Sequence, residues 1–333
     1  MPPARASCAV CPAAASMSPR RLAAGRLKPS LPEPATPAAA VPRPAWPGLA
    51  LAALGAITFS GKAIIVKLAY RHGVDAVTLI MYRMLFALPL FLALSWWAGR
   101  GKPALSRRDA AAVAGLGFCG YYLSSFLDFM GLAYVSAGLE RLILYLNPTF
   151  VLAIGAVVFK RRVALRQGVA LAVSYCGVLV VFGQEVRLAG ADVPLGAALI
   201  VASALSYAVY MSYSGEVVRR VGAARLTGLA TSVACLLCIA QFLLLRPLAA
   251  AAVAPEVIRL SLLNALLCTF APVLMMMMAI ERIGASAAAQ VGLIGPLSTI
   301  ALGIALLGEP FTAGLAAGTA LVLGGIWLLA RWR

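Results

Sequence analysis

Apolar runs of about twenty residues recur along most of the chain, separated by short polar stretches. A helix needs about 20 apolar residues to cross the hydrocarbon core of a bilayer, so each run predicts one transmembrane span. Ten spans are predicted, at residues 49–69, 76–98, 109–130, 137–159, 167–183, 195–214, 226–245, 260–280, 286–307 and 312–330. The connections between them are too short to hold a soluble catalytic domain.

The composition supports lipid as the solvent of these runs. Of 333 residues, 62% are hydrophobic and 12% are charged. Soluble domains carry about 25% charged residues. We therefore predict an all-α integral membrane protein whose partners are the lipid bilayer and a small-molecule substrate.

The basic residues are distributed unevenly between alternate loops. The net charge is +17, and most Lys and Arg fall in the N-terminal tail and in every second loop. The basic residues of the predicted inner side after the tail are Arg100, Lys102, Arg107, Arg108, Lys160, Arg161, Arg162, Arg166, Arg219, Arg220, Arg225, Arg282, Arg331 and Arg333. The predicted outer side has only Lys67, Arg71, Arg187, Arg246 and Arg259. The positive-inside rule then predicts a multi-pass protein of the cell inner membrane with both termini cytoplasmic. It also explains the charge without nucleic-acid binding.

The first 47 residues differ from the rest. Eleven of the twenty prolines lie there, among Ala, Ser and Arg. Such a composition cannot bury enough apolar surface to fold. We expect residues 1–47 to form a disordered cytoplasmic tail.

The membrane part repeats itself at a shift of 148 positions. The shift superimposes Pro148 on Pro296, Ala153 on Ala301, Gly155 on Gly303 and Gly177 on Gly325. It also places the basic loop around Arg161 on the loop GEPFT around Glu309, which has no Lys or Arg. Five helices in each half would put equivalent loops on opposite faces, which explains this charge reversal. The sequence thus predicts two inverted five-helix repeats, at 48–184 and 195–331, an architecture of secondary transporters.

Three stretches together resemble a known family. They are TLIMYRMLFALPLF with Lys67 before it, GLAYVSAGLERLILYLNPTFV, and IGASAAAQVGLIGPLSTIALGIALLGEPFTAGLAAGTALVLGGIWL. The chain is similar to the drug/metabolite transporter superfamily, in particular to its ten-helix members with two EamA domains, over about residues 49–330. The resemblance implies export or exchange of small metabolites, often amino acids or their analogues. Arg161 departs from the family pattern, which usually has Glu there.

Of the charged residues inside the predicted spans of the first half, five are candidates for a polar site. They are Lys62, Arg83, Asp128, Glu140 and Arg141. Counted from the helix ends, all five fall in the outer third of the membrane, where opposite charges can pair. Charges at this depth are costly and usually face a polar cavity. We predict a vestibule that binds a charged or zwitterionic solute, with an ionised Glu140. The alternatives are a structural ion-pair network and proton exchange by the two carboxylates.

Further polar positions lie in the second half. Ser203, Ser206, Tyr207 and Tyr210 share one helix face, and we favour Tyr207 and Tyr210 as a pair that lines the solute path. Gln290 stands among small residues and is the remaining predicted substrate-binding residue. Each of these side chains could instead join helices by hydrogen bonds.

Other motifs do not change this interpretation. Four consecutive methionines, Met275 to Met278, point around the whole helix and predict packing rather than a metal site. The GxGxxG at Gly115 lacks a preceding strand, which excludes a dinucleotide site. No catalytic, cofactor or metal residues are predicted. Gly314 and Gly318 indicate close helix packing within the chain, with a homodimer contact as the alternative.

These observations predict a secondary transporter, an exporter or exchanger of a small polar or zwitterionic metabolite such as an amino acid. A carrier of phosphorylated or sugar-linked solutes is the alternative within transport, because Lys62 and Arg83 could accept phosphate. An intramembrane enzyme and a membrane partner without transport are the alternatives from other classes. The sequence contains no paired-carboxylate or zinc-ligand motif that would favour an enzyme.

Overall fold

The computed structural model describes residues 46–158, 160, 165–189, 191–292 and 294–331. The predicted disordered tail therefore lies almost wholly outside the described residues, as do most of the residues of the basic loop around Arg161. The described residues are helical throughout, with short connections and no strand. The prediction of an all-α protein is confirmed.

Ten apolar helices account for this part of the chain. The first five are α1 Trp46–Tyr70, α2 Ala76–Gly99, α3 Arg107–Leu132, α4 Ala137–Val157 and α5 Leu165–Ala189. The next two are α6 Val193–Val221 and α7 Ala223–Leu245. The last three are α8, which starts as Pro255–Ala265 and ends as Ala271–Val291, then α9 Ile294–Leu307 and α10 Ala313–Arg331. By length and composition α1 to α8 can cross a membrane, whereas α9 and α10 are shorter apolar helices.

The helices expose apolar side chains outward in a manner suited to lipid. Large exposed apolar residues occur along most of them, and examples are Leu54, Leu92, Leu179, Leu205, Leu236 and Leu263. The buried core lies between the helices, where Phe91 of α2 packs edge-on against Phe270 of α8. With the predicted spans, this pattern supports a helical bundle whose outer surface is solvated by acyl chains.

Pro148 and Pro296, which superimpose under the shift of 148 positions, each lie next to a helix break. Helix α4 is interrupted at Tyr145 and Leu146, and Pro148 stands in the first turn of its second segment, Asn147–Val157. The predicted ninth span, 286–307, begins in the wrong place, because α8 continues to Val291 and α9 starts at Ile294, two residues before Pro296. Proline lacks an N–H and is tolerated in the first helical turn, where none is needed.

Side chains of α1 and α4 bind backbone carbonyl groups at the second break. The Tyr145 hydroxyl donates to the Gly292 carbonyl at 2.7 Å, and Ser60 Oγ donates to the Gly295 carbonyl at 2.8 Å. Backbone groups at membrane depth need such partners because lipid offers none. The break between α8 and α9 is therefore fixed by α1 and α4.

Helix pairing follows the repeat. In the structure α5 packs on α10 and α2 on α7, while α1 packs on α8 and α9 and α6 packs on α3 and α4. Exchanging the two halves reproduces this set of contacts. Two π-helical turns also obey the 148-position shift, Phe118–Leu123 in α3 and Leu266–Phe270 in α8. The contacts thus have the two-fold relation that a repeat requires.

Glycines allow α5 and α10 to approach closely. A Cβ atom on Gly177 would stand 2.5 Å from the Gly318 carbonyl oxygen, and one on Gly325 would stand 2.6 Å from the Ala170 carbonyl oxygen. These two contacts are equivalent under the repeat shift. A Cβ on Gly314 would likewise meet Gln184 of α5. Gly314 and Gly318 therefore pack within the chain, as the favoured interpretation of their spacing predicts.

The connections gather at two opposite ends of the bundle. At one, the α1–α2 end, Lys67 Nζ donates to the Val135 carbonyl at 2.6 Å and Arg246 contacts Asp75 at 3.2 Å. At the other, the α2–α3 end, Arg225 donates to the Pro103 carbonyl at 3.0 Å. These contacts join connections that alternate along the chain, as expected when successive helices run in opposite directions.

Candidate functional site

A cavity of about 560 Å³ lies inside the bundle. Its wall contains residues of α1, α2, α3 and α4 from the first half and of α6, α7 and α8 from the second. A volume in this range suits a small metabolite, since ligand pockets measure about 300–1,000 Å³. Lys62, Arg83, Asp128, Arg141 and Tyr207 line it, which gathers five of the eight predicted substrate-binding residues around one space.

Lys62, Asp128 and Glu140 form a buried triad at the edge of the cavity. The Lys62 ammonium lies 2.5 Å from an Asp128 oxygen and 3.0 Å from a Glu140 oxygen. All three side chains are at most 7% exposed. A lysine held by two carboxylates carries no surplus positive charge, so the triad as a whole is formally −1.

Glu140 does not pair with its sequence neighbour. Consecutive helical residues point about 100° apart, so the side chains of Glu140 and Arg141 diverge. Glu140 faces Lys62 from behind the cavity wall, whereas Arg141 lines the cavity. The ion pairs of the triad therefore join α1, α3 and α4.

Arg83 of α2 is held by a π-helical turn of α8. Its Nε donates to Thr269 Oγ1 at 2.9 Å, and Thr269 in turn donates to the Asn264 carbonyl at 2.9 Å. The guanidinium carbon lies 5.1 Å from the centre of the Phe129 ring. The side chain is buried, is held by these contacts and forms part of the cavity wall.

Arg141 of α4 has a comparable environment beside α1. Its Nη2 donates to Ser60 Oγ at 3.1 Å. The guanidinium carbon lies 5.0 Å from the Phe59 ring centre and 5.6 Å from that of Tyr145. Aromatic faces stabilise a guanidinium group but leave its in-plane N–H donors available.

Several buried polar atoms around the cavity have no hydrogen-bond partner among the described residues. They are Arg83 Nη1, Arg141 Nε, Asp128 Oδ1 and Asn147 Oδ1. In the same part of the chain, no carboxylate forms an ion pair with Arg83 or Arg141. Leaving a buried polar group unpaired costs about 1–3 kcal/mol, and more for a charged group. A ligand that reached these atoms with hydrogen-bonding groups would remove this cost.

The remaining predicted residues lie at different distances from the cavity. Tyr207 lines it, whereas Tyr210 packs beside it, with its hydroxyl 3.1 Å from that of Tyr121 and its ring against Gly120. The side chain of Gln290 lies outside the described residues. Tyr207 and Tyr210 stack on each other, so the first could hold its position through the second.

Sequence reasoning missed lining residues that carry no charge. Phe59, Tyr145, Asn147 and Thr269 all face the cavity. The repeat offered one usable signal, because the shift of 148 positions places Phe59 on Tyr207. Thr269 gave no signal, since its contact with Arg83 depends on the π-helical turn.

The two halves of the repeat have different residue types at corresponding positions of this site. The second-half positions that correspond to Lys62, Arg83 and Asp128 are Tyr210, Thr231 and Met276. The charged triad and arginines therefore belong to one half only. In a two-fold arrangement with opposed halves, they belong to one end of the cavity.

Two carboxylates close the α1–α2 end. Glu185 of α5 accepts from the backbone N–H of Ser136 at 3.1 Å and from its hydroxyl, and Glu309 accepts from the Ala137 N–H at 2.9 Å. Lys67 lies 4.0 Å from Glu309. The first turn of a helix has unpaired N–H groups and a positive dipole, which both favour carboxylates. We call Lys67, Ser136, Ala137, Glu185 and Glu309 the terminal latch.

The latch borders a second cavity, of about 590 Å³, that lies at the same end. Tyr70, Gln184 and Thr312 join the latch residues in its wall. Thr312 Oγ1 donates to Gln184 Oε1 at 3.0 Å, which links the start of α10 to α5. The position that corresponds to Glu309 in the first repeat, Arg161, lies outside the described residues.

Comparison with known proteins accords with this geometry. The model of the EamA-like transporter family matches twice, over residues 46–183 and 194–331. A relative described as an uncharacterized transporter, YcbK of Bacillus subtilis (strain 168), is 31% identical over 264 residues, which cover 77% of this chain and 84% of the relative.

A solved crystal structure shares the fold. It superimposes with a TM-score of 0.58 at 17% identity and covers 86% of this chain and 98% of its own. The family matches cover nearly the whole described part, and they point to a multi-pass membrane transporter rather than an enzyme. Because the family model matches twice and the relative is a transporter by its description, the chain belongs to the EamA-like transporter family.

Proposed function

We propose that the protein is a secondary transporter of a small polar metabolite and works by alternating access. The single observation that carries the proposal is a cavity whose wall both halves share and at which four buried polar atoms have no hydrogen-bond partner among the described residues. Transporters built from repeats bind substrate between the repeats and expose the site by moving one against the other. A zwitterionic metabolite such as an amino acid is the first substrate class to test, with export or exchange as the direction.

The proposed architecture has ten transmembrane helices in two inverted five-helix repeats. Opposite orientation follows from the odd number of helices in each half, provided that α9 and α10 also cross. The described helix starts support the repeat, since α3 and α8 begin at Arg107 and Pro255, and α5 and α10 begin at Leu165 and Ala313. The proposed repeats, 48–184 and 195–331, nearly coincide with the family matches.

The proposed orientation places the α2–α3 end in the cytoplasm. That end carries Arg100, Lys102, Arg107 and Arg108 between α2 and α3, and further basic residues follow in the alternate connections. We place the protein in the cell inner membrane. The positive-inside rule then puts both termini, with the tail of residues 1–47, in the cytoplasm. The terminal latch faces outward in this arrangement.

We propose that the terminal latch closes the outer entrance. It joins α1, α4, α5 and the connection before α10 through charge-assisted hydrogen bonds. Such bonds contribute about 1.5–3 kcal/mol each, enough to bias a two-state equilibrium and weak enough to break in a cycle. Outward opening would then require Glu309 and Glu185 to leave the start of α4.

Counterflow in vesicles containing the purified full-length protein tests the proposal. Vesicles loaded with a candidate metabolite should accumulate the same labelled metabolite from outside, above the level in empty vesicles. The panel should include amino acids, nucleosides and sugar phosphates. Absence of counterflow for every compound, with the protein inserted and folded, would contradict secondary transport.

A further inference from the structure

Three cations and two carboxylates surround the cavity, and their pairing is uneven. Lys62 takes both carboxylates, at 2.5 Å from Asp128 and 3.0 Å from Glu140. Arg83 and Arg141 receive only neutral acceptors, Thr269 and Ser60. The five groups therefore have a formal charge of +1, and the two arginines bear all the positive charge that lacks an ionic partner among the described residues.

Neither arginine is near bulk water that could solvate its unpaired positive charge. Arg83 and Arg141 are each 5% exposed, and each has a buried nitrogen, Nη1 and Nε respectively, without a hydrogen-bond partner among the described residues. A buried charge is stable only when paired or hydrogen-bonded. The rings of Phe129, Phe59 and Tyr145 stabilise the guanidinium faces but accept nothing from the in-plane N–H groups.

We propose that the transported solute is an organic anion whose carboxylate or phosphate group is bound by Arg83 and Arg141. This inference rests on the transport proposal and narrows its substrate class. Guanidinium groups match the planar or tetrahedral oxygens of both anions and bind them with charge-assisted hydrogen bonds. The unpaired acceptors Asp128 Oδ1 and Asn147 Oδ1 suit a hydroxyl or amide donor on the same solute.

A net negative solute is favoured over a zwitterion. Both carboxylates of the five groups are already paired with Lys62, so the ammonium group of a zwitterion finds no carboxylate among them without an ionic partner. A zwitterion would therefore leave the formal charge of +1 uncompensated. A solute with one surplus negative charge neutralises the formal charge of the site.

Matched compounds distinguish these substrate classes in the wild-type protein. The binding measurement uses the full chain in lipid nanodiscs and compares L-glutamate with L-glutamine and glucose 6-phosphate with glucose. Succinate and inorganic phosphate serve as minimal probes of the two anions. We expect the anion of at least one pair to bind about tenfold or more tightly than its uncharged or zwitterionic partner, because a charged hydrogen bond is lost in the partner. The preferred pair identifies carboxylate or phosphate as the recognised group.

Variants assign the preference to the two arginines. Arg83→Gln and Arg141→Gln should weaken binding of the preferred anion by about tenfold to a hundredfold and should leave its neutral partner unchanged. Arg83→Lys should retain only part of the preference for the anion, because the positive charge remains but the planar set of guanidinium N–H donors is lost. Arg259→Gln, an exposed arginine of α8, is the matched control and should bind like the wild type.

The outcomes separate this inference from the transport proposal. Counterflow of glutamine or glucose equal to that of the matched anion would overturn the anion inference and leave transport intact. Counterflow of no compound in the wider metabolite panel would overturn both. Since the paired comparison uses the wild-type protein, it stays decisive even if an arginine variant fails to fold.

Discussion

At the scale of single residues, the site depends on which cation takes the carboxylates. Lys62 lies between Asp128 and Glu140, and this leaves Arg83 and Arg141 free of ionic partners in the described chain. A lysine is a compact point charge, whereas an arginine presents a planar set of donors. The geometry thus separates a structural cation from two cations that can recognise a solute.

Removing one member of this arrangement should stop transport without preventing insertion. Glu140→Gln deprives Lys62 of one carboxylate, and Arg83→Ala removes a lining guanidinium group. We expect each variant to lose counterflow at least tenfold while its amount in the membrane stays near that of the wild type, as measured by immunoblotting. Glu256→Gln, an exposed residue in the first turn of α8, is the control. Wild-type flux in Glu140→Gln and Arg83→Ala would remove both residues from the mechanism.

The sequence could predict which charged residues lie together, but it could not predict the uncharged residues that contact them. Counting turns from the helix ends placed Lys62, Asp128 and Glu140 at one depth, and the structure joins them. The partner of Arg83 could not be predicted, because Thr269 reaches it through a π-helical turn that leaves no pattern of apolar positions. Periodicity reports which face of a helix is apolar, and it is insensitive to one extra residue in a turn.

At the scale of helices, the breaks near Pro148 and Pro296 matter most. An apolar run looks continuous whether its helix is whole or broken, so the hydrophobic pattern does not show these breaks. In the structure, Tyr145 at the first break binds the backbone at the second. The two breaks are thereby coupled across the repeat, a relation that depends on tertiary contacts alone.

The terminal latch gives a prediction at this scale. Glu309→Gln removes the charge that binds the Ala137 N–H and attracts Lys67, so the outer entrance should open more often. Ser125 of α3 lines the cavity inside the bundle. In a background without native cysteines, Ser125→Cys should then react with an impermeant thiol reagent from outside about tenfold faster than with Glu309 intact. This factor follows from about 1.5 kcal/mol for one charged hydrogen bond. Unchanged labelling would argue against a gating role, and Glu256→Gln in the same background is the control.

The glycine contacts between α5 and α10 give a second prediction at the scale of helices. Gly325→Val places a branched side chain where the Ala170 carbonyl and Ser174 already stand, whereas a Cβ on adjacent Gly324 meets nothing within 4 Å. Overpacking costs about 1–3 kcal/mol, so Gly325→Val should lower the thermal unfolding midpoint in detergent by several degrees. Gly324→Val should leave it nearly unchanged. Equal midpoints for the two variants would show that the helices do not depend on this approach.

At the scale of the whole molecule, the repeat and the charge asymmetry of the loops predict topology. Thr312 should face outward and Ala164 inward, although the shift of 148 positions makes them equivalent. In a background without native cysteines, Thr312→Cys should react with an impermeant reagent in intact cells. Ala164→Cys should react only after the cells are permeabilised. Labelling of both from the same side would refute inverted repeats.

The second half has Tyr210, Thr231 and Met276 at the positions that correspond to Lys62, Arg83 and Asp128. In the proposed alternating-access cycle, opening at the end of the cavity that holds the ions rearranges charged side chains, whereas opening at the other end rearranges hydroxyl, thioether and aromatic side chains. We therefore expect salt concentration to change the rate of one opening step more than that of the other.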